Sequence, residues 1–292
     1  MERVGSVVSR VLNVLRSYAR NPAHVPRNLS WRLPRTTSAS GAVFVVGAPR
    51  SGTSLVQSVL AAHSELFSIP GETGLFSLQN IFGRRHFGLS WAENRSLFAQ
   101  SRDLVDFFDR AVGLLESRSP GATFVEKTPQ HVLRLPFLTR RFPNARFVNV
   151  VRDGRDCFAS AKEHPGIPQS SSARRFARYW RRCVDSALEM SGHPRILTLR
   201  YEDFARSAPE ELDRVMRFLG FEPEPGQLDP AAFGSHKRGR RNEFHLLRSA
   251  VSDARVGRFR AELAPAERRA FERVAARQLA AHGYPLEDRG PD

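Results

Sequence analysis

One segment constrains the fold more than any other: a short apolar run that leads into a glycine-containing loop and then into a helical pattern. The run is AVFVV at residues 42–46, the loop is GAPRSGTS at residues 47–54, and apolar residues recur at helical spacing after it. A continuous apolar run of this length is typical of a strand that is buried on both faces of a parallel sheet. The segment therefore predicts a strand, loop and helix unit of an α/β domain.

Two later segments repeat this pattern. RFVNVV at residues 146–151 predicts a second strand, followed by a polar turn at Asp153 and a helix, and RILTL at residues 195–199 predicts a third strand. Strands that alternate with helices indicate a mostly parallel central sheet with helices on both faces. The sequence thus predicts a P-loop-like, three-layer α/β fold. Further helices are predicted over residues 101–117, 172–190 and 265–282, and a loop over residues 221–244.

The first 41 residues differ from the rest of the chain. Apolar residues at helical spacing over residues 1–20 predict an amphipathic helix, which could contact a membrane surface or an oligomer partner. Several prolines follow it and predict a linker up to residue 41. Residues 42–292 are expected to form one domain.

Charge and cysteine content restrict the partners and the compartment. The net charge of +15 favours an anionic partner, whether nucleic acid, a membrane surface or a phosphorylated small molecule. The basic clusters, including residues 237–241, are scattered and not interleaved with aromatic residues, so we predict no nucleic-acid partner. Two cysteines provide neither a disulfide framework nor a zinc site. We therefore expect a cytoplasmic protein without a metal and, from the short apolar runs, without a transmembrane segment.

The loop at residues 47–54 has the spacing of a phosphate-binding loop. In such loops, main-chain N–H groups and the N-terminus of the following helix surround an anion. Thr53 stands where the lysine of a P-loop nucleoside triphosphatase should be, while Arg50 supplies a positive charge from another position. The loop therefore predicts anion binding but disfavours an ordinary nucleoside triphosphatase. The residues expected to bind are Pro49, Arg50, Ser51, Gly52, Thr53 and Ser54.

The sequence PRSGTS after a strand resembles the 5′-phosphosulfate loop of sulfotransferases that use 3′-phosphoadenosine 5′-phosphosulfate (PAPS). Arg152 after the second strand, with Ser160 eight residues later, is similar to the arginine and serine that bind the donor's 3′-phosphate in that family. Tyr201 in LRYEDF resembles the tyrosine near the adenosine, although a core aromatic residue is an equal alternative. Arg255, before the VGRF that looks like a late family motif, would reach the 3′-phosphate. The resemblance covers about residues 42–284, which makes 42–292 a sulfotransferase domain.

Two further segments resemble the transfer site of this family. EKTP at residues 126–129 is similar to a segment of bacterial sulfotransferases and to its lysine-containing counterpart in tyrosylprotein sulfotransferases, and PGET at residues 70–73 is similar to the segment that carries their carboxylate base. The resemblance assigns Glu72 as the base, near Arg50 and Lys127. Cytosolic members of the wider family use histidine instead. The rival bases are therefore His63, His86 and His131.

The resemblance implies that the protein transfers a sulfuryl group from PAPS to a hydroxyl acceptor, with PAP as product. Glu72 would take the proton of the hydroxyl, and Arg50 and Lys127 would stabilise the charge that develops during in-line transfer. One alternative is a P-loop-type kinase of nucleotides or small molecules, which Thr53 disfavours. Another is a basic module that binds nucleic acid or membranes. The sequence leaves the acceptor open, as a small molecule or a peptide.

Overall fold

Five parallel strands form the central sheet. Along the chain they are β1 (Val43–Gly47), β2 (Leu66–Ser68), β3 (Thr123–Lys127), β4 (Arg146–Val151) and β5 (Ile196–Arg200). Across the sheet their order is β2-β3-β1-β4-β5, so β1 is central and pairs with β3 and β4. Because every neighbouring pair is parallel, the carboxyl ends of the strands meet at one edge. This computed structural model describes residue 19 and residues 21–77, 81–164, 167–233 and 251–287.

Helices cover the sheet on both sides. In the described ranges the α-helices are α1 (His24–Trp31), α2 (Thr53–Leu60), α3 (Trp91–Gln100), α4 (Leu104–Glu116), α5 (Leu135–Arg141), α6 (Gly154–Lys162), α7 (Ala173–Leu188), α8 (Tyr201–Arg206), α9 (Ala208–Leu219), α10 (Pro230–Phe233), α11 (Phe259–Glu262) and α12 (Pro265–Ala281). Two 3₁₀-helices cover Pro129–Arg134 and Pro168–Ser171.

The two faces of the sheet bury separate hydrophobic cores. Along β1, Phe44 belongs to one core and Val43 and Val45 to the other, as the alternation of side chains in a strand requires. The first core is rich in aromatic residues, and Phe44 stacks there on Phe108 and Phe147. Both faces are apolar because β1 is covered on both sides. The predicted three-layer α/β fold is confirmed.

The predicted elements are present, with small changes at their ends. β4 has the predicted bounds, β1 and β5 each begin one residue later than predicted, and the three predicted long helices correspond to α4, α7 and α12. The sequence analysis missed β2 and β3. It also assigned residues 221–244 to a loop, but α10 lies within that range, and residues 234–244 lie outside the described part of the chain.

A helix from the segment before β1 packs on the first core. The indole of Trp31 in α1 is buried and contacts Phe82 and Phe98, at ring separations of 4.8 and 5.9 Å. Thr36 then donates hydrogen bonds to the carboxylate of Asp103. Residues 24–36 are therefore attached to the domain. The boundary at residue 42 stays a prediction, and the amphipathic helix expected over residues 1–20 falls, apart from residue 19, outside the described residues.

Both cysteines are buried free thiols in the first core. Burial raises the pKa of Cys157 well above its ordinary value and that of Cys183 to about 12, so both stay protonated. Among the described helices, none combines the length and the apolar character needed to cross a bilayer.

His86 makes the stability of the fold sensitive to acid. Its side chain is 3% exposed, its Nε2 lies 2.8 Å from the carbonyl oxygen of Ile81, and burial lowers its pKa from 6.5 to about 4. Between these two values the unfolded chain binds a proton that the folded chain does not. The contribution of His86 to stability is therefore complete above pH 6.5 and is lost as the pH falls towards 4, by up to about 3 kcal/mol.

We expect His86→Gln to weaken this acid dependence. Glutamine keeps a side-chain N–H that can reach Ile81, but it does not titrate. Urea unfolding of both proteins between pH 4 and 7 would show a free energy of unfolding that falls less steeply in the variant. Equal slopes for the two proteins would show that His86 does not carry this dependence.

Candidate active site

The loop between β1 and α2 is fixed by close packing at its two glycines. A Cβ atom on Gly47 would lie 2.3 Å from the carbonyl oxygen of Val150, and one on Gly52, whose φ is 100°, would lie 2.5 Å from the ring of Tyr201. Arg50 between them also has a positive φ of 72°. The conformation of the loop therefore depends on glycine at two positions and is held in place by β4 and by Tyr201.

The loop presents donors to the edge of the sheet. The hydroxyl of Ser51 is buried and has no hydrogen-bond partner in the described ranges. It lies beside the N-terminus of α2, where the first N–H groups of a helix have no partner within the helix. A buried hydroxyl without a partner is costly unless a ligand completes it. This arrangement fits a bound phosphate or sulfate group.

Arg152 provides a positive charge beside this loop. Its side chain is 5% exposed, its guanidinium stacks on the ring of Tyr201 at 4.3 Å, and Nη1 lies 3.4 Å from the carbonyl oxygen of Arg50. Asp156 is 3.7 Å from Nη2. Nε is buried and has no partner among the residues that the structure describes. One donor of a buried cation is thus available for an anion.

Arg50 and Ser160 are in direct contact. Nε of Arg50 donates a hydrogen bond to Oγ of Ser160 at 3.0 Å, although the two residues are 110 positions apart. The structure therefore joins the loop to α6, where Ser160 lies. The roles of both residues toward a donor stay predictions. The expected proximity of Arg50 to Glu72 stays a prediction.

Glu72 and Lys127 form an ion pair at the end of β3. Nζ of Lys127 lies 2.9 Å from Oε1 of Glu72. The lysine is 4% exposed and the glutamate 43%, so the carboxylate faces an open side. The two segments that the resemblance assigned to the transfer site are therefore together, at the same edge of the sheet as the loop.

The comparisons with known proteins identify the family. The family model described as "Sulfotransferase family" matches residues 42–225. The chain belongs to the sulfotransferase family. A putative protein-tyrosine sulfotransferase of Caenorhabditis briggsae is 25% identical over 184 residues, which cover 61% of this chain and 64% of that protein. Nodulation protein NoeE of Sinorhizobium fredii is 26% identical over 210 residues, which cover 62% and 50%. The chain thus spans about half to two thirds of the length of these relatives.

Solved structures share the fold. The sulfotransferase domain of the olefin synthase of Synechococcus PCC 7002 has a TM-score of 0.66 at 20% identity, over 88% of this chain and 99% of that domain. A mouse sulfotransferase complexed with PAP has a TM-score of 0.55 at 14% identity, over 86% and 87%. These likenesses confirm the fold that the sequence resemblance implied.

The segment after the matched range completes the surroundings of Arg152. The carboxylate of Asp156, which is fully buried, accepts hydrogen bonds from the main-chain N–H groups of Gly257 at 2.8 Å and Phe259 at 2.9 Å. Arg152 donates to the carbonyl oxygen of Arg255. The main chain of Arg255 is therefore beside Arg152, as its predicted role requires, while contact of its side chain with a phosphate stays a prediction.

A buried cluster of charged side chains lies next to this segment, in contact with Phe259. The guanidinium of Arg155 is 1% exposed, donates to Asp153 at 2.7 Å and to Glu272 of α12, and stacks on the ring of Phe259 at 4.2 Å. Asp153 also caps α6 by accepting from the N–H of Arg155. The cluster connects the turn after β4 with the C-terminal helix.

Each rival histidine is engaged in structural hydrogen bonds. Both ring nitrogens of His63 bind main-chain groups, and Nε2 of His86 binds a carbonyl oxygen. Nδ1 of His131 lies 3.0 Å from a carboxylate oxygen of Glu126, and its Nε2 accepts from the N–H of Phe76. All three rings are buried. This favours Glu72 as the base.

Sequence reasoning missed three residues of the site. Arg84 and Tyr179 lie close enough to Glu72 for its charge to affect their pKa values, although burial is the larger influence and lowers the pKa of Arg84 and raises that of Tyr179. The third is Asp156, which anchors the C-terminal segment. No motif surrounds Arg84 or Tyr179, so only the fold could reveal them.

Proposed function

We propose that this protein transfers a sulfuryl group from PAPS to the hydroxyl of a small-molecule or peptide acceptor and releases PAP. The observation that carries the proposal is the placement of three features at one edge of the sheet. The loop follows β1, Arg152 follows β4, and the pair of Glu72 and Lys127 lies at the end of β3. Membership of the sulfotransferase family supports the same chemistry.

The residues around the loop fit the donor. Ser51 and Arg152 each have a buried polar atom without a partner in the described part of the chain, which suits a ligand with two separate anionic groups. In the proposal, residues 49–54 bind the 5′ side, and Arg152 and Ser160 bind the 3′-phosphate. Tyr201 lies between loop and arginine, where it would contact the nucleoside. PAPS supplies the activated sulfuryl group.

Glu72 is the proposed base. Its carboxylate is half-exposed and fixed by Lys127, so an acceptor hydroxyl can approach it while its position is defined. Lys127 and Arg50 would stabilise the negative charge that develops on the transferred group and on the leaving phosphate. A positioned base contributes about 10²- to 10⁴-fold to a rate. The proposal gives no step to a metal ion.

The acceptor and the cellular location are also part of the proposed function. Several curated relatives are named protein-tyrosine sulfotransferases, which makes a tyrosine hydroxyl one candidate acceptor. We propose a cytoplasmic location, which the two free, buried thiols support. The basic cluster at residues 237–241 lies outside the described residues. The expectation that nucleic acid is not a partner stays a prediction.

PAP is expected to stabilise the folded protein. A ligand that binds only the folded state adds about 2.7 kcal/mol at 100 times its Kd. In a thermal-shift titration without Mg²⁺, PAP should raise Tm more than ADP does, because ADP lacks the 3′-phosphate that Arg152 and Ser160 would bind. Equal shifts, or none, would contradict the assignment of the 3′-phosphate site.

Activity can be tested without knowing the acceptor. The protein is incubated with PAPS in four separate reactions. Each contains one acceptor: para-nitrophenol, a tyrosine-containing peptide, a hexose or a metabolite extract. Mass spectrometry should detect a product heavier by one sulfuryl group. Phosphorylated products that require ATP and Mg²⁺ would support a kinase instead. Salt-dependent binding of DNA or anionic vesicles without any response to PAP would support a binding module.

A further inference from the structure

A buried carboxylate lies directly beside the proposed transfer site and has no part in the proposed chemistry. Glu126 precedes Lys127 on β3 and is 0% exposed. Because successive side chains of a strand point to opposite faces, Glu126 lies on the face opposite Lys127. A buried carboxylate costs several kcal/mol unless donors surround it. Its partners therefore show what it holds in place.

Three side chains donate to this carboxylate. The hydroxyls of Thr73 and Thr128 both reach Oε1, at 2.7 and 2.6 Å, and Nδ1 of His131 is 3.0 Å from Oε2. The carboxylate is thus ionised and accepts at both oxygens.

The tautomer of His131 follows from its second contact. The main-chain N–H of Phe76 points at Nε2 at 3.2 Å, so Nε2 must be the unprotonated nitrogen. Nδ1 then carries the hydrogen that it donates to Glu126. A doubly protonated ring would direct an N–H at the N–H of Phe76. The network has a defined direction of donation only while residue 126 accepts from His131.

The same bonds fix the loop that carries Glu72. Thr73, the next residue after Glu72, donates directly to Glu126. The N–H of Gly74 donates to Thr128 at 3.0 Å, and the N–H of Phe76 donates to His131. Glu126 therefore holds residues 73–76 either directly or through one of its own partners. Glu72 itself is half-exposed, so its own packing does not fix it.

From this geometry we propose that Glu126 is a positioning residue, which holds Glu72 opposite Lys127 for the transfer step; this rests on the proposed function. Glu126 acts on both members of the ion pair through residues that are covalently adjacent to them. Lys127 is the next residue along β3, and Thr73 is the next residue after Glu72. A shift of the network would change the distance between Nζ of Lys127 and the carboxylate of Glu72, which is 2.9 Å in the folded protein.

Glu126→Gln tests this role with little change in size. The amide oxygen can still accept from the two threonine hydroxyls, but the amide N–H group then faces the N–H of His131. If His131 changes its tautomer, its new Nε2–H faces the N–H of Phe76 instead. Either way two donors oppose each other, so residues 73–76 must move. The donor site, built on other strands, is expected to remain intact.

The experiment is a double-mutant cycle in single-turnover transfer from PAPS, using whichever acceptor of the panel above gives most product. Glu126→Gln should lower the rate roughly 10- to 100-fold, the scale of a misplacement of about 1 Å, while PAP affinity by calorimetry stays within about threefold. In a Glu72→Gln background, the same change should cost no more than about threefold, because the base that it positions is already absent.

Losses that multiply in the double variant would overturn the positioning role, as would a parallel loss of PAP affinity. Thr73→Val and Thr73→Ser provide a milder pair in case Glu126→Gln fails to fold. Serine keeps the hydroxyl and should restore most of the rate that valine loses; equal rates would also count against the proposal. A wild-type protein that binds PAP but transfers nothing to any acceptor overturns the proposed function itself, which is a distinct result.

Discussion

Glu72→Gln is expected to lower the single-turnover rate of sulfuryl transfer by about 10²- to 10⁴-fold, which corresponds to roughly 3 to 5.5 kcal/mol of barrier. Glutamine keeps the size of the side chain and can still accept a hydrogen bond from Lys127, but it cannot take the acceptor's proton. PAP affinity should not change, because Glu72 lies at the end of β3 and the donor loop follows β1. Rapid-mixing kinetics and calorimetry measure the two quantities separately.

The matched control is Glu65→Gln, which changes an exposed glutamate a few residues earlier and should leave the rate as it is. Glutamine variants of His63, His86 and His131 test the rival bases. A lost base should cost at least about 100-fold in rate. If Glu72→Gln keeps more than about a tenth of the wild-type rate and one histidine variant does not, the base is misassigned. The donor site would be unaffected by that outcome.

Arg152→Ala is expected to weaken PAP by about 1.5 to 3 kcal/mol, or roughly 10- to 150-fold in Kd, the range for hydrogen bonds to charged groups. The guanidinium is buried with Nε unpartnered within the described ranges, so a 3′-phosphate would complete it. Adenosine 5′-phosphosulfate, which lacks that phosphate, should bind the variant and the wild type almost equally. Calorimetry with both ligands gives the selectivity.

A second effect of this substitution needs its own control. Arg152 also donates to the carbonyl oxygen of Arg255, so alanine could loosen the C-terminal segment. Asp156→Asn weakens the two bonds that hold the same segment but keeps the guanidinium. If Asp156→Asn weakens PAP as much as Arg152→Ala does, or if both ligands are weakened equally, Arg152 is structural and does not read the 3′-phosphate.

The strands that the sequence predicted are those whose apolar character is continuous. β1 and β4 are buried almost throughout, whereas β5 lies at the edge of the sheet and is partly exposed, but apolar residues dominate all three. β3 was missed because TFVEK ends in two charged residues, which normally indicate a surface. Glu126 can be buried there only because Thr73, Thr128 and His131 donate to it, and partners this distant in sequence cannot be recognised from the strand alone.

Some features of the site could likewise be predicted from the sequence, and others could not. Glu72 and Lys127 were paired through two motifs that are 55 residues apart, and the structure places them 2.9 Å from each other. Arg50 was also expected near them, which stays a prediction, and its Nε donates a hydrogen bond to Ser160. Its backbone has a φ of 72°, a conformation for which a non-glycine residue gives no sequence signal, so the direction of the side chain could not be predicted.

The charge cluster around Arg155 has a consequence for how the domain unfolds. Glu272 lies in α12, beyond the residues 42–225 that the family model recognises, yet it pairs with a guanidinium that is 1% exposed. Separating the two would leave a buried cation short of one carboxylate, at a cost of about 3 to 5 kcal/mol. Opening of α12 at Glu272 is therefore expected to be coupled to opening of the turn after β4. The segment that the family model recognises is therefore shorter than the segment expected to unfold cooperatively.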